Sequence, residues 1–295
     1  MPKSGKKRLS IGYIYYKSYY DSSDEIFVRL LEEKLNVIKL PFEEQIDLET
    51  IKTKTKDCKI IFNDSTWGKS TLQSVELTKT LEELGKTVIN SSNSIFYNED
   101  KWMFYLRCLE NNIPTPKTYL IPIELRFSSK AIKSILAKYP IVLKAVYSDN
   151  GSCVEKVSNY PMFLKKLRKI LKSNPTSPIL AQKYIPNSHK SYRVTLINHK
   201  VKQGIIKIGK SWKQTGKEEE YFKLIKVNRK LKNICEKASR ILEMDICGFD
   251  LILNNGKWYI IEANSSPALN FIKKDEIRLL RLLADYLYSV CKKVN

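Results

Sequence analysis

Residues 248–269 read GFDLILNNGKWYIIEANSSPAL. Asp250, Glu262 and Asn264 set oxygen-bearing side chains among Ile, Leu and Trp, where an unpaired charge is costly. Glu262 and Asn264 are two apart, so on a strand they share a face. Asp250 joins them in only one register. A two-residue Asn255-Gly256 turn sets Asp250 opposite Ile261, on the wrong face. An odd loop, Asn255-Gly256-Lys257, sets it opposite Glu262. If the three act together, the spacing predicts the odd loop, with a glycine bulge. Three oxygen ligands on one face suit a hard cation such as Mg²⁺, which keeps places for water and phosphate. The competing reading is a solvated edge, or carboxylates paired with lysines.

Four cations could face the same chemistry. Lys144 closes the apolar run PIVLK, and either snorkels or meets an anion. The loop after it, Ser148-Asp149-Asn150-Gly151-Ser152, either offers backbone N–H groups to phosphate or is a plain hairpin loop. Its order and spacing differ from G-x-x-x-x-G-K-[ST]. Lys101 opens a helix, against the helix dipole unless an anion is near; a solvated first turn is the simpler account. Arg193 and Lys207 lie on facing strands of one hairpin, where a surface ion pair is the simpler account. Six scattered cysteines form no C-x-x-C pair, and His189 and His199 are the only histidines. That points to buried free thiols and away from zinc or a disulfide framework.

The elements that must position these groups alternate between strand and helix throughout, which means α/β or α+β. Up to about Asn98 the strands RLSIGYIYY, NVIKLPF, KIIFND and KTVINS, with two helices, make a β-α-β-β-α-β unit with parallel strands. Asp24 is placed to cap the first helix, and Gly85 to stop the second. A helix over 99–110 follows. Strands at TYLIP, PIVLKA, the stretch after the loop, and ILAQKYI come next, with helices at SSKAIKSILAKY and PMFLKKLRKIL. A hairpin turned at His199-Lys200, a helix over 227–244, the opening hairpin and a closing helix complete the chain. The 295 residues are 43% hydrophobic, enough for a real core. No run approaches the roughly 18 apolar residues of a membrane span, and the basic start lacks a secretory signal, so the expected setting is cytoplasmic. The net charge is +21, yet only ten of the 52 basic residues are arginine and the lysines are dispersed. That argues against nucleic acid and leaves attraction of an acidic substrate open.

Taken in order, these pieces resemble the RimK-like carboxylate–amine ligases of the ATP-grasp superfamily. The carrying stretches are VINSSNSIFYNEDKWMFYLRCLENNIPTPKTYL, YPIVLKAVYSDNGSCV, ILAQKYI, SYRVTLINHKVKQGIIKIGKSW and GFDLILNNGKWYIIEANSSPAL. The resemblance implies an N-terminal parallel α/β domain over 1–97 and an ATP-grasp domain over 98–295. Within the latter it implies a lid subdomain (about 115–185) and a metal-binding subdomain (186–295), two sheet-bearing pieces that clamp ATP. It implies that Lys101 and Lys144 contact ATP phosphates and that Ser148, Asp149, Asn150, Gly151 and Ser152 close over them. Gln182, Lys183, Tyr184 and Ile185 would contact adenine through backbone groups. Asp250, Glu262 and Asn264 would hold one or two Mg²⁺ (or Mn²⁺), with Arg193 near the transferring phosphoryl group. Two positions depart from the family pattern: Ser191 where an acidic residue contacts ribose, and Lys207 where relatives have arginine. The implied reaction joins a carboxylate to an amine through an acyl phosphate, with acceptor and donor pockets around Trp67, His189 and 212–221, and often in a homodimer. An ATP-grasp kinase acting on a small anion, and a non-catalytic basic binding protein, are the alternatives.

Overall fold

The computed structural model describes residues 8–65, 71–121, 129–138, 140–148, 151, 153–213 and 221–294. They form three sheets in chain order. The first is parallel, ordered β2-β1-β3-β4 from β1 (Ser10–Tyr15), β2 (Asn36–Pro41), β3 (Ile60–Asn63) and β4 (Thr87–Ile89). Its strands are near-continuous apolar runs because helices cover both faces. On one face α1 (Ser22–Glu32) packs, together with the chain's last helix, α9 (Lys273–Val294). On the other lie α2 (Leu48–Thr55) and α3 (Thr71–Glu83). The helix α2 was not foreseen, because its sequence, LETIKTKT, carries little apolar periodicity; Asp47 caps it by accepting from Thr50 N. The cap of α1 is Asp21, not Asp24. Asp21 accepts from Ser23 N and Asp24 N, and Asp24 answers as the third helical residue by accepting from Asp21 N, a capping box.

The expected helix over 99–110 is α5 (Lys101–Glu110), and a helix that was not foreseen, α4 (Ser92–Glu99), runs directly into it. Asp100 breaks the run with φ −91° and ψ 94°, and its carboxylate accepts from Trp102 N and Met103 N to start α5. The second sheet is antiparallel, ordered β5-β8-β6-β7 from β5 (Thr118–Ile121), β6 (Ile141–Ala145), β7 (Val154–Val157) and β8 (Ile179–Lys183). The helices α6 (Ser129–Leu136) and α7 (Tyr160–Ser173) bury their apolar residues against one face of it.

The third sheet is antiparallel, ordered β11-β10-β9-β12-β13. Its strands are β9 (Lys190–Ile197), β10 (Lys200–Ile208), β11 (Tyr221–Leu224), β12 (Ile246–Asn254) and β13 (Lys257–Asn264). The helices α5 and α8 (Arg229–Ile241) cover one face. The β9–β10 turn is Asn198-His199, one residue earlier than expected, since Ile197 pairs with Lys200 and both turn residues have positive φ. All six cysteines are buried free thiols. Among the described residues no helix is long and apolar enough to cross a membrane.

Candidate active site

The open face of the third sheet carries the polar residues. Register places Arg193, Asp250 and Glu262 side by side on β9, β12 and β13. One step along, Thr195, Gly248 and Asn264 form the next row; one step the other way, Ser191 faces Lys207 across β9 and β10. Asp250 does lie opposite Glu262, but the odd loop does not bring it there. Asn254 pairs with Lys257 around the two-residue turn Asn255-Gly256, both with positive φ. The register then shifts by one between Leu251 and Asp250, so Ile261 is the extra residue of a β-bulge within β13.

Opposite this face stand β6 and β8 of the second sheet, and between them is a cavity of about 430 Å³. Polar groups on its walls include Lys144, Gln182, Arg193, Lys207, Asp250 and Glu262; apolar walls include Val142, Ile185, Ile252 and Ile261. The structure therefore brings most of the expected residues together. Gly151, Lys183, Tyr184 and Asn264 line the same cavity. Lys101 lies beside it, its Nζ 3.4 Å from Glu262 Oε1 and donating to the Ser148 carbonyl. Asp149, Asn150 and Ser152, like Trp67 and residues 214–220, lie outside the described residues. His189 is absent from the residues lining the cavity.

The site is buried and charged. Lys207 is 4% exposed, Arg193 8% and Lys144 9%, so neither a surface pair nor a snorkelling lysine describes them. Arg193 grips Asp250 with two donors, Nε to Oδ1 at 3.0 Å and a terminal nitrogen to Oδ2 at 2.5 Å; Lys207 Nζ donates to Oδ1 at 2.9 Å. Burial pushes the Asp250 carboxyl up, but the Arg193 and Lys207 charges overcome it and hold it well below the usual carboxylate range. Burial pushes the Lys144 ammonium down to about 8, with Lys101 adding to the fall and Glu262 opposing it.

The donor set fits Mg²⁺. Two carboxylates and an amide converge, and the Asn264 Nδ2 already donates to the Gly248 carbonyl at 3.1 Å, which leaves its oxygen for a cation. The Lys183 and Tyr184 N–H groups are committed to the carbonyls of Lys117 and Pro140, at 2.7 and 2.9 Å. The Ile185 N–H has no such partner among the described residues.

Residues that sequence reasoning passed over also build the site. Phe271 lies under both cations, 5.2 Å from the Arg193 guanidinium carbon and 5.4 Å from Lys207 Nζ, backed by Phe222 of β11 at 5.2 Å. Asn98 accepts from Ser265 N at 3.0 Å and fixes the loop beyond Asn264. A lone aromatic in the polar stretch 264–275 was the available signal for Phe271.

The RimK-like ATP-grasp domain matches residues 98–287. The coenzyme gamma-F420-2:alpha-L-glutamate ligase of Methanococcus maripaludis is 24% identical over 226 residues, 75% of this chain and 78% of that one. The human N-acetylaspartylglutamate synthase A is 25% identical over 225 residues, 73% of this chain and 56% of that one. In three dimensions the chain is similar to the Bacillus anthracis D-alanine–D-alanine ligase complexed with ATP, with a TM-score of 0.71, 14% identity, and 98% and 99% of the two chains covered. The chain belongs to the RimK-like ATP-grasp family and is an ATP-dependent carboxylate–amine ligase.

Proposed function

We propose that ATP lies between the second and third sheets, with its phosphates toward Lys101 and Lys144 and its base toward Gln182, Lys183, Tyr184 and Ile185. The single supporting observation is that Lys144, Gln182, Lys183, Tyr184 and Ile185 line one cavity together with Asp250, Glu262 and Asn264 of the third sheet, with Lys101 of α5 beside it against Glu262. Asp250, Glu262 and Asn264 would hold Mg²⁺, one ion or two, which neutralises charge on the phosphates. Arg193 and Lys207 orient the substrate carboxylate and offset charge as its oxygen attacks the γ-phosphorus and ADP leaves. The loop 148–152 excludes water from the acyl phosphate. The neutral amine nitrogen then attacks the acyl carbon, inorganic phosphate departs, the nitrogen gives up its proton, and an amide remains. Positioning and electrostatics supply the catalysis, so no side-chain nucleophile is needed. A cytoplasmic setting, with Mg·ATP at hand and thiols kept reduced, suits this chemistry.

Glu262→Ala is the informative variant, because Glu262 is partly exposed and its loss leaves Arg193 and Lys207 paired with Asp250. Mg²⁺-dependent ADP formation is expected to fall by at least about 100-fold, with circular dichroism and melting unchanged. Wild-type activity in this variant would remove the metal assignment. Sustained turnover in wild type should need both an acid and an amine and yield an amide with inorganic phosphate; a stable phosphorylated product from the anion alone would mark a kinase.

A further inference from the structure

Arg193 and Lys207 are buried cations on neighbouring strands, and they share one carboxylate. Arg193 Nε and Lys207 Nζ both donate to Asp250 Oδ1, at 3.0 and 2.9 Å. Beyond Asp250, neither head group donates to another acceptor among the described residues. Glu262, next along the row, meets Lys101 at 3.4 Å. Two positive charges therefore stand against one negative charge, in a place where burial makes repulsion strong.

The two cations also share an aromatic ring. Phe271, in the stretch between β13 and α9, lines the cleft. Its centroid is 5.2 Å from the Arg193 guanidinium carbon and 5.4 Å from Lys207 Nζ. Both distances are within cation–π range. The ring is itself supported. Pairing of β10 with β11 sets Phe222 opposite Lys207, and the Phe222 and Phe271 centroids are 5.2 Å apart.

A ring face attracts a cation without neutralising it. A carboxylate in the same place would hold both cations but cancel the positive charge that an incoming anion needs. When a phosphoryl or carboxylate oxygen draws the N–H donors away from Asp250, the ring keeps its hold, because it binds through its quadrupole.

The geometry points to Phe271 as a positioning residue: its ring holds Arg193 and Lys207 toward the transferring phosphoryl group when their donors leave Asp250. The inference rests on the reading that these two cations face that group. Phe271 acts through them, and a leucine would fill much of the same space without doing so.

Fluorine weakens the quadrupole of the ring and changes its size little, so the fold is kept. The test places 4-fluoro-, 3,5-difluoro- and 3,4,5-trifluorophenylalanine at position 271. The probe is Mg·ADP with aluminium fluoride, which mimics the transferring phosphoryl group and needs neither acid nor amine. In wild type, aluminium fluoride is expected to raise the melting temperature beyond the shift given by Mg·ADP alone. That increment should fall stepwise with fluorine, by at least about half for the trifluoro ring, while the Mg·ADP shift stays constant. Phe271→Leu should lose as much, and Phe271→Tyr, which keeps a ring, should retain the increment. In Lys207→Met, with one cation gone, the increment should be smaller and its dependence on fluorine shallower. An increment that ignores fluorine, or that Phe271→Leu retains, overturns the positioning role and leaves the role of the cations standing. A Mg·ADP shift that falls along with the increment also overturns it, because Phe271 would then shape the cleft as a whole. No increment in wild type, or one undiminished in both Lys207→Met and Arg193→Gln, would remove the reading of the cations and the inference with it.

Discussion

Lys144 shows at the level of one residue what the charged cleft costs the fold. Its ammonium is buried on β6 with no carboxylate in hydrogen-bonding contact among the described residues, and burial lowers its pKa from 10.5 to about 8. The unfolded chain keeps the proton up to its own higher pKa. Folding is therefore penalised below about pH 8, and the penalty is relieved as pH rises from there toward 10.5. The shift corresponds to a cost on the order of 3 kcal/mol at pH 7. Lys144→Met is expected to gain up to about that much in urea melts at pH 7 and little at pH 10.5, while losing the Mg·ATP thermal shift. Equal gains at both pH values would mean that shape, not charge, is what the site tolerates poorly. A phosphate beside Lys144 restores its proton, so Mg·ATP binding near pH 8.5 should take up protons, measurable as a buffer-dependent heat. The residue types at this site were legible because charge at the end of an apolar strand is costly. The grip of Arg193 and Lys207 on Asp250 was not, since it depends on strands far apart in the chain.

The hairpin β12–β13 carries the same lesson at the scale of an element. Alternation marked Glu262 and Asn264 as sharing a face, and the need to add Asp250 demanded one residue of slip. The slip was sought in the turn, where Asn and Gly are visible; it lies instead at Ile261, and nothing in IIE distinguishes a bulge from a regular strand. The same alternation could not reveal β11, four residues that pair only because β10 offers an edge. Two glycines of this hairpin separate turn from site. At Gly248 a Cβ would sit 2.8 Å from Pro267 Cβ and 3.5 Å from Arg193 Cδ. Gly248→Ala should cost about 1–3 kcal/mol by overpacking, and it should lower kcat because it moves the guanidinium or the 265–268 loop. At Gly256, with φ +71°, a Cβ meets nothing within 4 Å. Gly256→Ala should cost about 1 kcal/mol from backbone strain alone, with ADP formation unchanged. Matched losses of activity in the two variants would show that kcat follows hairpin stability and not the Arg193 setting.

At the scale of the whole molecule, the three sheets must be held in place relative to one another for the cleft to keep its walls. The closing helix α9 does part of this by packing on α1, with ion pairs from Lys34 to Asp285 and Arg281 to Glu33. Such exposed pairs contribute little individually. Asn90, just beyond β4 and 1% exposed, does more. Its Nδ2 donates to the carbonyls of Ile246 at 2.7 Å and Ser265 at 2.6 Å, and its Oδ1 accepts from Ile246 N at 3.0 Å. One amide thus joins the first sheet to the start of β12 and to the loop beyond Asn264. In the sequence KTVINS this residue reads as a strand end, and only the tertiary arrangement supplies its partners. Asn90→Ala leaves three buried backbone groups unsatisfied and should cost about 3 kcal/mol or more in urea melts. Ser265 adjoins Ser266, which lines the cleft, so KM for the acid or the amine should rise while the Mg·ATP shift persists, because the groups proposed to hold nucleotide lie on α5 and on the second and third sheets. Asn90→Asp, of equal size, keeps the acceptor but turns an oxygen toward two carbonyls, and should be at least as damaging. A stable Asn90→Asp variant with wild-type KM would show that the sheets are registered by packing of α9 on α1, and that this amide is incidental to the cleft.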